Sequence, residues 1–498
     1  MNKLIAWSIL VLVLVTGWIP LARSEARDTR GDMTAYSLIE LHKRLASGKL
    51  TSESLVEQYL AAIELQQQYN AFITIDAESA LAVARQRDKQ RSDGELLGQL
   101  HGIPFAIKDN IHVAAMLNTA GTRALQSFVP DKDAGVVARL RRAGAIIIGK
   151  NNLHELAYGI TSNNYAYGAV GNAYNLEYFA GGSSGGTAVA VALNLVAAGL
   201  GTDTGGSVRI PPALNGVVGF RPSMGRYPAD GLVSISTTRD TVGPITRTVA
   251  GAALVDAVLS DTAAELSAAA LDGLRLGVPR SYFYDNLDPD VASVMSAVLE
   301  KLTAAGVILV EADIENLAEL NELVSFPVVL YETAQTLPQY LADNAPSISV
   351  EQLLESIASP DVKAVVGDAL GGAIPEEVYQ QALQVHRPAL QDAYRQYFAL
   401  HRVEAVIFPT TALPARPIAN SLETIDWNGE QQPTFPSYIR NTDPASNAGI
   451  PALTIPAGLS SQGLPIGLEI DGPAGSDRRV LSIGLALETL LQQQQTAL

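Results

Sequence analysis

The sequence predicts a single large α/β domain, with a central mixed β-sheet flanked by helices on both faces. Helical patterns alternate with short apolar runs typical of buried strands, and residues 135–150, GVVARLRRAGAIIIGK, form one such helix–strand pair. Hydrophobic residues make up 47% of the chain and charged residues 17%, which suits a large buried core. No linker, repeat or low-complexity segment divides the 498 residues.

The amino-terminal part predicts helices followed by strand–helix alternation. Residues 34–64 have apolar positions at helical spacing, interrupted at Gly48, with Ser52 as the predicted cap of the second helix. Residues 71–88 predict a strand and then a helix. The apolar run that ends at Lys108 predicts a buried strand.

The carboxy-terminal part predicts more strands around a helical region. Residues 274–279 and 307–314 predict strands on either side of a helix over residues 290–305. Residues 314–400 predict a mainly helical region. Strands then return within residues 403–473, where we expect them to complete the same sheet.

Composition excludes several classes of function. The net charge of −17 disfavours nucleic acid as a partner, because no basic stripe offsets phosphate repulsion. The chain has no cysteine, which excludes disulfides, thiolate catalysis and cysteine metal sites. Its six histidines show no metal-binding spacing, so the sequence requires neither a metal nor a cofactor. The oligomeric state stays open.

Two serine-bearing glycine turns, GGSSGG and TDTGGS, lie within residues 181–219. Glycine is densest where the backbone must adopt positive φ or approach a ligand closely, so both turns are expected to present backbone N–H groups. Between them, residues 187–198 are rich in alanine and lack proline, which predicts a closely packed helix.

Three motifs in this order resemble the amidase signature family. Lys108 lies in HGIPFAIKDN, Ser183 in GGSSGG and Ser207 in GTDTGGSVRIP, and the two serines are 24 residues apart, as in that family. The resemblance implies that Ser207 is the nucleophile, Ser183 a bridging serine on a cis peptide bond and Lys108 the base. It also implies an oxyanion hole made by the backbone N–H groups of Thr204, Gly205, Gly206 and Ser207.

The chemistry of such a site is consistent with these residue types. A serine hydroxyl needs a neighbouring base, and a lysine is a base only when it is uncharged. Burial of Lys108 would lower its pKa, and a shift from about 10.4 to about 7–8 corresponds to about 4 kcal/mol. The glycine turn before Ser207 would direct N–H donors at the developing oxyanion.

Several neighbours are expected to support these groups. Asp203 and Arg209 flank the nucleophile turn and are expected to fix it by hydrogen bonds, and Ser184 is expected to hydrogen-bond the lysine amine. His154 and Glu155 are adjacent titratable residues, but no second pair of ligands accompanies them, so we expect a structural role.

The resemblance also carries expectations about substrate. Residues 154–172 and 201–228 look most like the hydrolases of mandelamide and indoleacetamide within that family, which implies small aryl or arylalkyl amides as substrates and anilides, esters and carbamates as side substrates. It implies one domain over residues 34–490, with selectivity arising in residues 314–400. Candidates for lining the substrate pocket in that region are Phe326, Leu330, Tyr331 and Tyr340.

The first residues resemble a signal peptide. Lys3 precedes an apolar run over residues 4–22 that ends in small residues, which predicts cleavage near Ser24 or Ala26 and export to the periplasm or beyond. No membrane span is then expected in the mature protein. The alternative is an uncleaved anchor, because this run approaches the length of a transmembrane helix.

Two other functions remain open at this point. Residues 181–185 also satisfy the GxSxG pattern of α/β-hydrolase esterases, with His386 or His401 as the base. That pattern needs a strand directly before the serine, and residues 172–180 predict a poor one. The other alternative is a non-catalytic exported protein that uses the glycine turns to bind an anion.

Overall fold

An eleven-stranded mixed β-sheet forms the centre of the protein, for which a computed structural model describes residues 33–492. Two separate two-stranded sheets accompany it. The strands in chain order are β1 (Phe72–Ile75), β2 (Pro104–Lys108), β3 (Ile146–Asn151), β4 (Asn163–Asn164), β5 (Gly168–Ala169), β6 (Ala198–Asp203), β7 (Val218–Arg221), β8 (Thr241–Thr246), β9 (Arg275–Gly277), β10 (Ile308–Val310), β11 (Ala405–Pro409), β12 (Thr424–Trp427), β13 (Glu430–Pro433), β14 (Ala452–Leu459) and β15 (Pro465–Asp471).

Helices connect these strands along the described chain. They are α1 (Leu38–Ala46), α2 (Ser52–Leu65), α3 (Ala77–Ser92), α4 (Gly135–Arg142), α5 (Gly185–Ala192), α6 (Ile210–Asn215), α7 (Val249–Ser260), α8 (Pro289–Ala304), α9 (Leu317–Asn344), α10 (Val350–Ser356), α11 (Pro360–Leu370), α12 (Glu376–Gln381), α13 (Arg387–His401), α14 (Thr434–Ile439), α15 (Asp443–Ala448) and α16 (Asp477–Gln492). The predicted helical region over residues 314–400 is therefore confirmed, and its main element is the long helix α9.

The central sheet follows the order β1, β3, β2, β6, β8, β7, β14, β15, β11, β9, β10. Strand β2 pairs in parallel with β3 and β6, and β9 pairs in parallel with β10 and β11. The other neighbours are antiparallel. The sheet is mixed, as predicted, and its last strands in sequence lie inside it.

Helices cover both faces of this sheet. Ala405 and Ile407 of β11 pack in an apolar cluster with α8 and α16, whereas Val406 and Phe408 pack in another with α13 and α15. Because successive strand residues point to opposite faces, these clusters lie on opposite sides of the sheet. The predicted single α/β domain, flanked on both faces, is confirmed.

Parallel pairing brings the carboxyl ends of β2, β3 and β6 to one edge of the sheet. Lys108 at the end of β2 lies opposite Asn151 of β3, and Ile107 lies opposite Leu200 of β6. The loop that follows β6 carries Ser207. In α/β sheets, ligands bind at this edge, where the loops after the strands meet.

The helix predicted over residues 187–198 is too long. Helix α5 ends at Ala192, Asn194 adopts a left-handed conformation with φ 57°, and β6 begins at Ala198. Alanine-rich sequence suits a helix, but here the chain must turn back and enter the sheet between β2 and β8.

The predicted cap of α2 is displaced by one residue. Thr51 is the N-cap, and its hydroxyl accepts the N–H of Ser54, whereas Ser52 is the first helical residue. Serine and threonine are both good caps, so the local sequence does not distinguish them.

The predicted signal peptide, residues 1–26, lies outside the described residues. Within residues 33–492, no helix combines the length and apolarity that crossing a membrane requires.

Candidate active site

Lys108 is completely buried at the end of β2, and its amine lies at the centre of a polar cluster. Its Nζ lies 2.7 Å from Ser183 Oγ, 2.8 Å from Thr202 Oγ1 and 3.4 Å from the Thr202 carbonyl oxygen. Burial lowers the pKa of Lys108 to about 7, although Asp203 and Asp240 act in the opposite direction. A large share of the amine is therefore uncharged at neutral pH, as expected from its buried strand.

Ser183 lies in the turn just before α5, and the peptide bond between Gly182 and Ser183 is cis. Its carbonyl oxygen accepts the N–H of His154 at 3.1 Å and the Ser162 hydroxyl at 3.3 Å. These two hydrogen bonds fix the backbone of the turn. The Ser183 hydroxyl is thereby held against the Lys108 amine.

Thr202 is a site residue that sequence reasoning missed. Its Oγ1 faces Lys108 and also accepts the Asn110 amide N–H at 3.1 Å. Asn110 lies in the motif HGIPFAIKDN, which contains Lys108, and Thr202 lies in GTDTGGSVRIP, which contains Ser207. Strand β6 gives a signal, because Thr202 and Asp203 are polar residues at the end of an otherwise small or apolar buried strand.

The turn that carries Ser207 has fixed carbonyl groups and free N–H groups. The Thr204 carbonyl accepts Arg239 Nε at 3.2 Å, and the Gly205 carbonyl accepts the Thr442 hydroxyl at 2.7 Å. The backbone N–H groups of residues 204–207 donate no hydrogen bond within the described protein. This arrangement suits an oxyanion hole, in which donors must be free for the substrate.

Gly206 is required by the geometry of this turn. Its φ is +146°, and a Cβ there would lie 2.1 Å from Thr442 Oγ1. A side chain would therefore both strain the backbone and displace the threonine that holds Gly205.

Ser207 lies between β6 and α6 and lines a cavity next to this turn. In the described structure its hydroxyl makes no hydrogen bond to the Ser183 hydroxyl. Lys108 thus contacts Ser183 directly, and Ser207 lies at the same edge of the sheet.

Asp203 and Arg209 fix the turn that carries Ser207 through buried hydrogen bonds. The Asp203 carboxylate accepts Arg209 Nε at 3.0 Å, Arg221 Nη1 at 2.7 Å and the Val208 N–H at 3.1 Å. Burial alone would raise the pKa of Asp203, but the two guanidinium groups outweigh it and hold the pKa well below its usual range. Arg221 is the partner that the sequence did not reveal.

Ser184 does not contact the lysine amine, contrary to expectation. Its hydroxyl donates to the Thr202 carbonyl oxygen at 3.3 Å. Helix α5 begins directly after Ser184, and this geometry directs the side chain to β6. Ser184 therefore supports Thr202, which in turn holds Lys108.

The cavity beside Ser207 has a volume of about 550 Å³, including its open mouth. Most of its walls are apolar, and the apolar residues are Ala157, Ile160, Ile235, Phe326, Val329, Val365, Phe435 and Ile439. The charged wall residues Arg239 and Asp443 pair with each other at 2.5 Å. The cavity therefore suits an uncharged, apolar group.

Of the four predicted pocket residues, only Phe326 lines this cavity. Tyr331 is instead stacked on Tyr379, with ring centroids 4.1 Å apart, and Tyr340 Oη bonds His112 Nε2 at 2.8 Å. Leu330, like these two tyrosines, is absent from the wall. Helical periodicity places residues on a face, but it does not say which face meets the cavity.

His154 and Glu155 have the structural role expected of them. His154 Nε2 lies 2.9 Å from the Asp361 carboxylate, and Glu155 accepts the N–H groups of Ala358 and Ser359, just before α11. Among the described residues, no group of three acidic or histidine side chains could hold a metal ion.

The structure does not have the geometry that the esterase alternative requires. Residues 172–182, which precede Ser183, form no strand. Within the described chain, the hydroxyl of Ser183 contacts Lys108, and no histidine side chain bonds either serine hydroxyl. His401 packs against Tyr397 instead, with ring centroids 4.9 Å apart.

Comparison with known proteins agrees with this geometry. A model of the amidase family matches residues 54–481. An indoleacetamide hydrolase of Agrobacterium vitis is 45% identical over 453 residues, 91% of this chain and 96% of that protein. A mandelamide hydrolase of Pseudomonas putida is 41% identical over 484 residues, 93% of this chain and 92% of that protein.

Solved structures agree as well. A crystal structure of an amidase superposes with a TM-score of 0.83 at 34% identity, covering 92% of this chain and 100% of the other. An anion-binding protein without catalysis is thereby set aside. With matching motifs, fold and relatives over most of its length, the chain belongs to the amidase signature family and is an amide-hydrolysing enzyme.

Proposed function

We propose that the protein cleaves the carboxamide C–N bond of small aryl or arylalkyl amides through a Ser–cis-Ser–Lys triad, with an acyl-enzyme on Ser207. The observation that carries this proposal is the buried Lys108 amine, which has a pKa of about 7 and lies 2.7 Å from the Ser183 hydroxyl. Such an amine is a base at neutral pH.

The contacts of Lys108 define the direction of proton transfer. A neutral amine has two N–H bonds and one lone pair. The two oxygens of Thr202, at 2.8 and 3.4 Å, accept the two N–H groups. The lone pair is then left for Ser183, and it receives the proton of that hydroxyl.

Ser183 relays the proton of Ser207. As Ser207 Oγ attacks the carbonyl carbon, its proton passes to Ser183 and the Ser183 proton passes to Lys108. The C–N bond breaks as the leaving nitrogen takes a proton back through the same relay. Water then attacks the acyl-enzyme by the same route. The two serine hydroxyls must approach each other when substrate binds, and catalytic hydrogen bonds commonly shorten at that stage.

The free N–H groups of residues 204–207 would stabilise the oxyanion formed in each attack. Each such donor is worth about 100- to 1,000-fold in rate in known enzymes. Because their carbonyl partners are fixed by Arg239 and Thr442, the donors need little reorganisation.

The cavity favours aryl groups as the acyl part of the substrate. Its apolar walls and its paired charges leave no free charge to bind an ionic group. The relatives named for indoleacetamide and mandelamide support the same class. Anilides, esters and carbamates are proposed as side substrates, because their carbonyl groups can meet the same nucleophile with a different leaving group.

A panel of amides, esters and carbamates tests this proposal, with purified wild type compared with Lys108→Ala. The substitution is expected to lower kcat for aryl amides by at least about 100-fold, since it removes the base. Lys89→Ala, an exposed lysine paired with Asp93, is the matched control. Full activity of Lys108→Ala would refute the mechanism.

The nucleophile is tested separately by covalent labelling. A fluorophosphonate should modify Ser207, and peptide mapping of the adduct identifies the labelled residue. An adduct on Ser183 instead would reverse the two serine roles.

We also propose that the protein is exported, on the strength of the apolar run after Lys3. Amino-terminal sequencing of secreted material should begin near Glu25 or Arg27. An intact Met1 in washed membranes would instead indicate an uncleaved anchor.

A further inference from the structure

A second chamber adjoins the apolar cavity beside Ser207, on the side away from the catalytic turn. The two cavities share the wall residues Ser325, Phe326, Phe435, Ile439 and Asp443. The Phe326 and Phe435 rings lie at this boundary, with centroids 6.1 Å apart. The outer chamber has a volume of about 990 Å³, including its open mouth, so a substrate longer than a small aryl amide has room to extend into it.

The outer chamber differs from the inner one in its hydrogen-bonding groups. Arg440 and Trp427 both line it, with the guanidinium carbon 5.2 Å from the indole ring centroid. Arg440 Nη2 and Trp427 Nε1 are buried, and neither has an acceptor within the described protein. A buried donor without a partner is destabilising, and an acceptor on a bound ligand would relieve this once the Arg440 or Trp427 side chain turns toward the chamber.

Arg440 also lacks a carboxylate partner. Arg440 Nε donates to the Asn441 side chain at 3.0 Å, and Arg440 forms no ion pair with any described residue. Burial lowers the pKa of Arg440, whereas Tyr282 and then Asp285 act in the opposite direction without forming an ion pair; the guanidinium stays protonated. Of the acids that line the chamber, Asp443 is held by Arg239, and Glu322 is exposed at the rim.

We propose that the outer chamber binds a carboxylate at the far end of an extended amide substrate, with Arg440 and Trp427 as its hydrogen-bond donors. This inference rests on the proposed function and narrows its substrate class. The acyl carbonyl would lie at Ser207, the apolar part in the inner cavity and the carboxylate in the outer chamber. A carboxylate is favoured over a neutral carbonyl because it offsets the guanidinium charge and satisfies both donors.

The test compares two matched series of arylalkyl primary amides. One series ends in a carboxylate and the other in an uncharged methyl ketone, and the spacer is lengthened one methylene at a time. At the best spacer length, the ratio of kcat/KM for the carboxylate over the ketone should reach about 10- to 100-fold in the wild type. Arg440→Gln should reduce that ratio to near unity.

Two further variants separate binding from a structural effect. Trp427→Phe keeps an aromatic ring but removes the N–H, and it should lower the ratio by a few-fold. Arg395→Gln, an exposed arginine paired with Asp392, should leave the ratio as in the wild type. A merely structural role of Arg440 would lower both rates together and leave the ratio unchanged.

A ratio near unity at every spacer length in the wild type, with the amide bond of the ketone series hydrolysed, would overturn this inference and leave the proposed function intact. If neither series is hydrolysed, the proposed function fails, and calorimetry then tests whether the outer chamber binds a carboxylate. Ser207→Ala should bind the carboxylate amide at least about tenfold more tightly than Ser207→Ala/Arg440→Gln. Equal affinities there would also overturn the inference.

Discussion

At the scale of single residues, the protonation of Lys108 controls the proposed mechanism. Burial lowers its pKa to about 7, and only the uncharged amine accepts a proton. We expect kcat/KM to be lost below this pKa, to rise through it and to level off above it. The measurement is a pH profile with a slow amide whose chemistry limits the rate. A flat profile between about pH 6 and 8 under those conditions would contradict the assignment.

Thr202 provides a second prediction at this scale. Its Oγ1 accepts an N–H of Lys108, and an acceptor stabilises the charged amine more than the neutral one. Thr202→Val should therefore shift the rising limb of the pH profile to lower pH. It should also lower kcat by about 10- to 100-fold, since the amine loses an orienting partner.

The control is Thr202→Ser, which keeps the hydroxyl and should leave the rising limb of the pH profile at the wild-type pH. If Thr202→Val leaves both the limb and kcat as they are, the carbonyl contact at 3.4 Å is enough to orient the amine.

At the scale of elements, α11 is tied to the serine turn through one residue. The backbone N–H of His154 donates to the Ser183 carbonyl, and its side chain bonds Asp361 in the first turn of α11. Val365 of the same helix lines the cavity beside Ser207. His154 and Asp361 thus form a joint between the helical region and the turn that carries Ser183. Because Val365 of the same helix lines the cavity, this joint fits a role in selectivity.

Asp361→Ala should loosen this joint and displace the wall formed by Val365. We expect KM for arylalkyl amides to rise about threefold to tenfold, with a smaller change in kcat, because substrate contacts are lost more than chemistry. Asp361→Asn keeps an acceptor for His154 and should restore KM. A fall in kcat with unchanged KM would indicate that the joint serves Ser183 rather than the cavity.

At the scale of the whole molecule, buried ion pairs join segments that are distant in sequence. Asp203 at the end of β6 binds Arg209 and Arg221, and Arg209 also binds Glu469 of β15 at 2.9 Å. Arg209 donates as well to the carbonyl of Thr442, just before α15. The nucleophile turn is thereby fixed to strands and helices more than 200 residues further along the chain.

Asp203→Asn should be strongly destabilising, because it leaves the buried Arg221 without a carboxylate partner and the buried Arg209 with Glu469 alone. The expected loss is about 3–5 kcal/mol, measured as a lower denaturant midpoint and a lower Tm. Asp392→Asn breaks an exposed pair with Arg395 and should cost at most about 1 kcal/mol. Similar midpoints for the two variants would mean that the buried network relaxes without cost.

Local sequence predicted many of the elements of the fold. Apolar runs and helical patterns predicted the strand before Lys108, the α4–β3 pair and the helical region that includes α9. These patterns failed where tertiary contacts determine the structure. The alanine-rich segment leaves the helix at Ala192 and then enters the sheet as β6. Propensity is a weak prior, and packing against β2 and β8 overrides it.

The sequence by itself determined the family, the positions of Lys108, Ser183 and Ser207, and the buried strand that lowers the lysine pKa. These depend on short motifs and local apolar runs, which are complete within a few residues. Only the tertiary structure decided that Thr202 rather than Ser184 holds the amine, that Phe326 rather than Tyr331 meets the cavity, and that Arg221 joins Asp203. Those contacts join residues on different strands and helices, and their partners are chosen by strand register and helix rotation, which no local pattern encodes.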